Sequence, residues 1–215
     1  MRNILKINPP DILVNNCQAW QDGYAINPSE NNRTKYRHPD IKTTLMEETQ
    51  GKCVYCESKV GHNCPGDVEH KIPVVQRPDL LFDWENMTIA CTECNRRKLV
   101  YFDPQCMFLD PNDDDVENKL QHVGPLVFNK PGDVRAEVSV RLLELDKLDA
   151  RKYLIGRKFE KLEEIRNLVE RISAETNIVL KQFLLDELSE KCSISGEFSA
   201  MVKTFVEGLP IGWAD

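Results

Sequence analysis

Two cysteine pairs of identical spacing, C53-V-Y-C56 and C91-T-E-C94, constrain this chain more than any other feature. A CxxC turn sets two thiolates on one side of a knuckle, and two knuckles complete a tetrahedron around Zn²⁺ with Zn–S about 2.3 Å. Four thiolates leave no coordination position open, so such a zinc is structural and staples the ends of the segment between the knuckles. The rest of the chain suits this reading. Hydrophobic residues make up 41% and charged residues 29% of the 215, as in a globular protein. No apolar run approaches the ~20 residues of a membrane span. The N-terminus "MRNILKINPPDILVNN" lacks the apolar core and small-residue cleavage site of a signal peptide. The expectation is a cytoplasmic protein with no membrane partner, in which close cysteine pairs are metal ligands rather than disulfides. A redox role suits one CxxC better than two. Cys17, Cys64, Cys106 and Cys192 read as buried free thiols. His62 and Cys64 are spare donors that a complete four-cysteine site does not need.

Punctuation and periodicity organise the remainder. Residues 10–24 suit a short helix with Ile12, Leu13, Cys17 and Trp20 inward. The polar stretch "NPSENNRTKYRHPD" reads as a loop. Pro39 and Gly51 bracket a second helix. The acidic run "DPNDDDVEN" is not an EF-hand loop, because counting from Asp110 puts Asp115 and Gln121 where Gly and Glu are required; it reads as a solvated loop. Alternation over 123–140 suggests a hairpin turning at "NKPGD". From about Asp146 the pattern is helical: Phe159, Leu162, Ile165, Val169 and Ile172 recur at spacings of three and four, then Val179, Leu180, Phe183, Leu184 and Leu188, then Phe198, Met201, Val202 and Phe205. These stripes read as packing faces.

Between the knuckles lies "DVEHKIP", which places Glu69 beside His70, followed by Asn86, Asn95 and Lys98. Singly, these residues mean little. Asn86 suits a turn, Asn95 a helix N-cap, Trp84 a core plug rather than a base-stacking platform, and Arg96–Lys98 a charged helix face. Net charge is −7, which argues against a protein that coats nucleic acid. Near the motif, however, the charge is basic: Lys71, Arg77, Arg96, Arg97 and Lys98.

Taken in order, "EHKIP", "WEN" and "CTECNRRK" resemble the HNH endonucleases, the His-Me finger or ββα-metal class, with zinc-ribbon cysteines. The resemblance covers roughly residues 50–103. It implies an α+β fold: a small ββα-metal core with a four-cysteine zinc knuckle pair, flanked by N-terminal helices and a mainly α-helical C-terminal region. It implies metal-dependent hydrolysis of DNA phosphodiester bonds. His70, at the end of the first strand, would be the general base. Asn86 would cross-link the loop and orient His70. Asn95 would begin the helix and, with Glu69, hold a catalytic Mg²⁺ or Mn²⁺. Asp67 and Glu93 are rival ligands; Asp67 would point the same way as Glu69 along a strand. Lys98 or Arg97 would bind phosphate, with Arg96 and Arg97 as substrate contacts.

More widely, "KCVYCE", "VEHKIP", "FDWENMTIACTECNRRK", "FLDP" and "LLELDKLDARKYLIGR" resemble the HNH proteins of Septu-type anti-phage systems and certain retrons. That resemblance implies an ABC-type ATPase partner and a role in defence. The expected organisation is an N-terminal helical extension (1–49), the nuclease core with its zinc site (50–110), an acidic loop and hairpin (111–145) and a helical region for partner docking (146–215). Two other readings stand beside the nuclease effector: a zinc-ribbon interaction module with a vestigial site, and a restriction-type nuclease with its own sequence reading.

Overall fold

The computed structural model describes residues 1–61 and 66–209; His62 and Cys64, the spare donors, lie outside them. The fold is α+β, with two small hairpins set among helices. Strands β1 (Asp67–His70) and β2 (Met87–Ala90) pair antiparallel, with Asp67 opposite Ala90, Glu69 opposite Thr88 and His70 opposite Met87. β2 is buried along its whole length, and its Met87, Ile89 and Ala90 anchor the hairpin in the main core. Gly66 enters β1 at φ +66°; a Cβ there would sit 3.2 Å from Val60 Cβ, so the first knuckle passes too close for a larger residue.

Helix α4 (Thr92–Lys98) follows β2 directly. Its N-cap is Cys91, whose Sγ accepts from Cys94 N at 3.4 Å. Asn95 therefore lies inside the helix and does not begin it, because the knuckle cysteine takes the capping position.

On the N-terminal side, α1 (Asp11–Ile26) buries Leu13 and packs Ile12, Cys17 and Trp20 against the core. The stretch read as a loop instead forms α2 (Glu30–Arg33) and a 3-10 turn at Thr34–Arg37. Ser29 caps α2 by accepting from Asn32 N, and Asn32 Nδ2 donates back to Gly23 and Asn27 carbonyls. Local side-chain bonds thus satisfy a polar segment in helical form. Helix α3 (Pro39–Glu48) has proline in its first turn, and Gly51 follows at φ +68°.

The acidic run is less solvated than expected. Arg135 clamps Asp114 at 2.7 and 2.8 Å and donates to Met107 and Phe108 carbonyls, while Lys71 pairs with Asp110 at 2.8 Å. A one-turn α5 (Val116–Lys119) leads into β3 (Leu120–Val123) and β4 (Leu126–Asn129). This hairpin turns at Gly124–Pro125 rather than at "NKPGD". Asp133 within "NKPGD" instead caps α6 (Val134–Leu143), its Oδ1 accepting from Ala136 N at 2.9 Å. An N-cap outweighs weak alternation here.

Helices α7 (Lys152–Ala174), α8 (Ile178–Cys192) and α9 (Ser199–Glu207) form a second core of Ile165, Leu168, Val169, Ile172, Leu184, Leu188, Phe198, Met201 and Val202. The stripe reading misplaces part of this face: Phe159, Val179, Leu180 and Phe183 are exposed. Among the described residues, no helix is long and apolar enough to cross a membrane.

Candidate metal centre and polar seam

The knuckles come together. Cys53, Cys56, Cys91 and Cys94 are buried, and their four Sγ atoms lie within 4.8 Å of one another. A tetrahedral ion with Zn–S near 2.3 Å sets sulfur pairs about 3.8 Å apart, and Cys56 Sγ stands 3.8 Å from Cys91 Sγ. The donor set therefore fits zinc. The thiols act on one another: S–H donors from Cys53, Cys91 and Cys94 hold Cys56 well below the usual thiol range, which favours thiolate at that position. Sequence reasoning missed one member of this centre. Arg151, buried, reaches Cys94 Sγ at 3.3 Å and Leu143 O at 2.7 Å, placing a cation beside the thiolates. No local motif marks Arg151; only the packing of the turn before α7 brings it there.

The second constellation divides between the two faces of β1. Side chains alternate along a strand, so Asp67 and Glu69 face α4 while the His70 ring turns away. Along the seam with α4, Asp67 Oδ2 accepts from Thr92 Oγ1 at 3.1 Å. Further on, Glu69 Oε1 pairs with Lys98 Nζ at 2.7 Å. Asn95 stands one helical turn after Thr92 and one before Lys98, on the same side of the helix. Asp67, Thr92 and Glu69 thus share one seam. The buried hydroxyl of Thr88, directly across from Glu69, has no hydrogen-bond partner among the described residues.

Lys98 is only 1% exposed and also donates to the His70 carbonyl at 3.0 Å. Its placement does not suit the expected surface phosphate ligand: it ties α4 to β1 from inside. Arg97 is likewise committed, to Glu93 at 2.7 Å, to Glu144 and to the Ala150 carbonyl. Glu93 is held by both Arg96 and Arg97, and these guanidiniums keep its carboxyl below the usual range, Arg96 foremost. Arg96 remains on the surface. Burial lifts the Glu69 carboxyl, and Lys98 opposes that lift. Of the three carboxylates, Asp67 and Glu69 lie on the seam and Glu93 does not. The donor types of Asp67 and Glu69 suit a divalent ion that takes one or two carboxylates and keeps its waters, with Glu69 already paired to Lys98 and Asn95 on the neighbouring helix.

The His70 ring is 8% exposed. Its Nε2 bonds the Leu81 carbonyl at 2.9 Å, and Tyr36 packs edge-on with ring centroids 4.7 Å apart. A carbonyl only accepts, so Nε2 carries the proton and Nδ1 keeps the lone pair. Burial holds the imidazole down at about 4, so it is neutral at pH 7. Asn86 accepts from Ile72 N at 2.7 Å and donates to Ile72 O at 3.0 Å and Leu80 O at 3.3 Å. It thereby closes the loop that carries Leu81. Trp84 is a core plug, with Nε1 on the Ile7 carbonyl. Tyr36 and the Leu81 carbonyl were not legible as partners of His70, since the contacts are tertiary and involve no sequence motif.

A hairpin and helix joined at a four-cysteine cluster, carrying Glu-His on the strand, Asn in the loop and Asn-x-x-Lys on the helix, is the arrangement of an HNH endonuclease domain. Residues 53–99 match the family model described as HNH endonuclease, and this stretch of the chain is such a domain. Beyond the domain, the chain resembles the Septu protein PtuB of Bacillus thuringiensis. The two are 29% identical over 185 residues, which span 82% of this chain and 68% of the relative.

Proposed function

We propose that the protein is a metal-dependent endonuclease that hydrolyses DNA phosphodiester bonds, with His70 as general base. One observation carries this reading: within the HNH match, Nε2 of His70 is committed to the Leu81 carbonyl, which leaves Nδ1 as the proton acceptor. A neutral imidazole can accept a proton from water, and burial makes His70 a weaker base than a free imidazole. Asn86 acts through the loop, holding the Leu81 carbonyl that orients the ring. Asn95 with Glu69, or with Asp67 in its place, would hold Mg²⁺ or Mn²⁺. When bound, that ion supplies positive charge for the phosphate and the departing oxygen. Lys98 positions Glu69 and the end of β1. Arg96, on the surface and paired with Glu93, is the cation of α4 that substrate can reach. The four cysteines hold a structural zinc.

The likeness to a Septu protein supports a role in a defence system, and an ABC-type ATPase partner is what the wider sequence resemblance implies. What supports a protein partner in the chain itself is the start of α8, where Ile178 and Phe183 are 85% and 65% exposed. A second reading, a zinc module with a vestigial site, draws on the burial of His70 beneath Tyr36. Nicking of supercoiled plasmid in Mg²⁺ or Mn²⁺, with and without the ATPase, separates the two. Conversion by wild type and none by His70→Ala is expected. Equal activity of the two proteins would sink His70 as the base, and silence in every arm would sink the nuclease reading.

A further inference from the structure

A groove of about 690 Å³ opens between the zinc knuckles and the first turns of α7, outside the seam and away from the His70 ring. That volume is in the range of small-ligand sites. Its floor includes Cys56 and Cys91, and its walls carry Lys59, Asp149, Lys152, Tyr153 and Arg157. Tyr153 is the most unusual of these. It is 81% exposed, and Lys152 Nζ lies 5.2 Å from its ring centroid. A large aromatic ring left in water beside a cation stabilises no core.

Charge points the same way. In a chain of net −7, this groove presents Lys59, Lys152 and Arg157 to solvent. Three acids face them: Asp149 is on the wall, Glu93 is already held by Arg96 and Arg97, and Glu197 is bonded to the Lys59 amide at 3.0 Å. The Arg157 pair with Glu160 lies on the surface with both side chains about two-thirds exposed, and such pairs hold their partners weakly. Arg151 beneath offsets the thiolates of the floor. An exposed ring set among cations is how proteins hold unpaired bases: the ring stacks on a base and the cations follow the phosphates. A duplex hides its base faces and has no use for such a ring.

We propose that this groove binds a single-stranded segment of nucleic acid, with Tyr153 stacking on a base and Lys59, Lys152 and Arg157 facing phosphates. The proposal rests on the reading that the chain acts on nucleic acid, and it names where an unpaired strand is held. The groove reaches the metal seam through α4: its wall residue Glu93 neighbours Thr92, which bonds Asp67 at the start of β1. His70 lies three residues further along, roughly 10 Å at strand rise.

The test is fluorescence anisotropy of a labelled single-stranded oligonucleotide of about a dozen nucleotides, with full-length zinc-loaded protein carrying His70→Ala so that nothing is cut. Tyr153→Ala should weaken binding on the order of 10-fold, while Tyr153→Phe should bind like the parent. Lys152→Gln with Arg157→Gln should reduce the salt slope of log K by about 1.4. The same sequence as duplex should be indifferent to Tyr153→Ala. Because Tyr153 is exposed, its replacement leaves the fold intact, and zinc content and melting temperature verify this in the same samples. Equal affinity of Tyr153→Ala and Tyr153→Phe, or no binding by the parent, overturns the proposal. So does loss of a protein partner on Tyr153→Ala with oligonucleotide binding unchanged. Plasmid nicking that fails while Tyr153-dependent binding holds counts against the nuclease reading alone. Nicking that survives with binding indifferent to Tyr153 counts against the groove alone.

Discussion

Asn86 is buried and makes three bonds to backbone that no other side chain serves. Asn86→Ala should cost about 1–3 kcal/mol of stability, because the Ile72 amide loses its partner inside the protein. Asn86→Asp is the sharper test. The carboxylate still accepts from Ile72 N but faces two carbonyls without a donor, so activity and melting temperature should fall with it as they do with alanine. Retention of both by Asn86→Asp would mean that the amide donor does not order the loop. His122 supports a separate prediction. Neither of its ring nitrogens has a partner among the described residues. Burial, then the N-terminal charge and Lys158, hold it down at about 3. The unfolded chain takes up its proton near the ordinary value of ~6.5. Stability is therefore present above about pH 6.5 and is lost as pH falls toward about 3. Wild type should lose melting temperature over that window faster than His122→Gln, and parallel curves would remove His122 from the account.

The knuckle and α4 are one element in energetic terms, because Cys91 is both one of the four clustered cysteines and the N-cap. Serine caps helices well but is a poor zinc ligand. Cys91→Ser thus keeps the cap and loses the metal. It should melt as low as Cys53→Ser, while His70→Ala stays folded; equal stability of all three would sink a structural zinc. The helices were legible wherever punctuation was local. Pro39 and Gly51 bound α3, and the alternation read as one hairpin over 123–140 held only a shorter one, displaced by the Asp133 cap. In α8 the stripe was found but its buried side was not. Leu184 and Leu188 face inward while Phe183 faces water, since spacing gives a period and only the neighbouring helices choose the face.

The two cores are joined by hydrogen bonds, several of them centred on one buried ion pair. Glu57 receives the Met1 amine at 3.0 Å, Ser199 Oγ at 3.0 Å and Ala200 N at 3.1 Å. Arg2 reaches the Cys192 carbonyl at 3.1 Å. Removing one partner of a buried pair leaves the others uncompensated, so Glu57→Gln should cost roughly 3–5 kcal/mol. Because Glu57 adjoins Cys56 and touches α9, wild type should unfold in one transition with zinc released at the same midpoint. Two separated transitions, with zinc lost in only one, would show that the cores are independent.

The four-cysteine centre and the order Glu-His, Asn, Asn-x-x-Lys were determined by the sequence alone, because a ligand turn and a motif need only residue types at fixed short spacings. Which carboxylates lie on the seam, which cation is buried and which way His70 faces were decided by tertiary structure. Lys98 reads as a surface cation until β1 packs on α4 and Glu69 claims it. Arg97 reads as a phosphate ligand until Glu93, Glu144 and Ala150 surround it. Tyr36 and Arg151, remote in the chain from the groups they touch, carry no local signal. Their roles come from burial, which removes water as a partner and makes each charge and ring depend on whatever the fold has placed beside it.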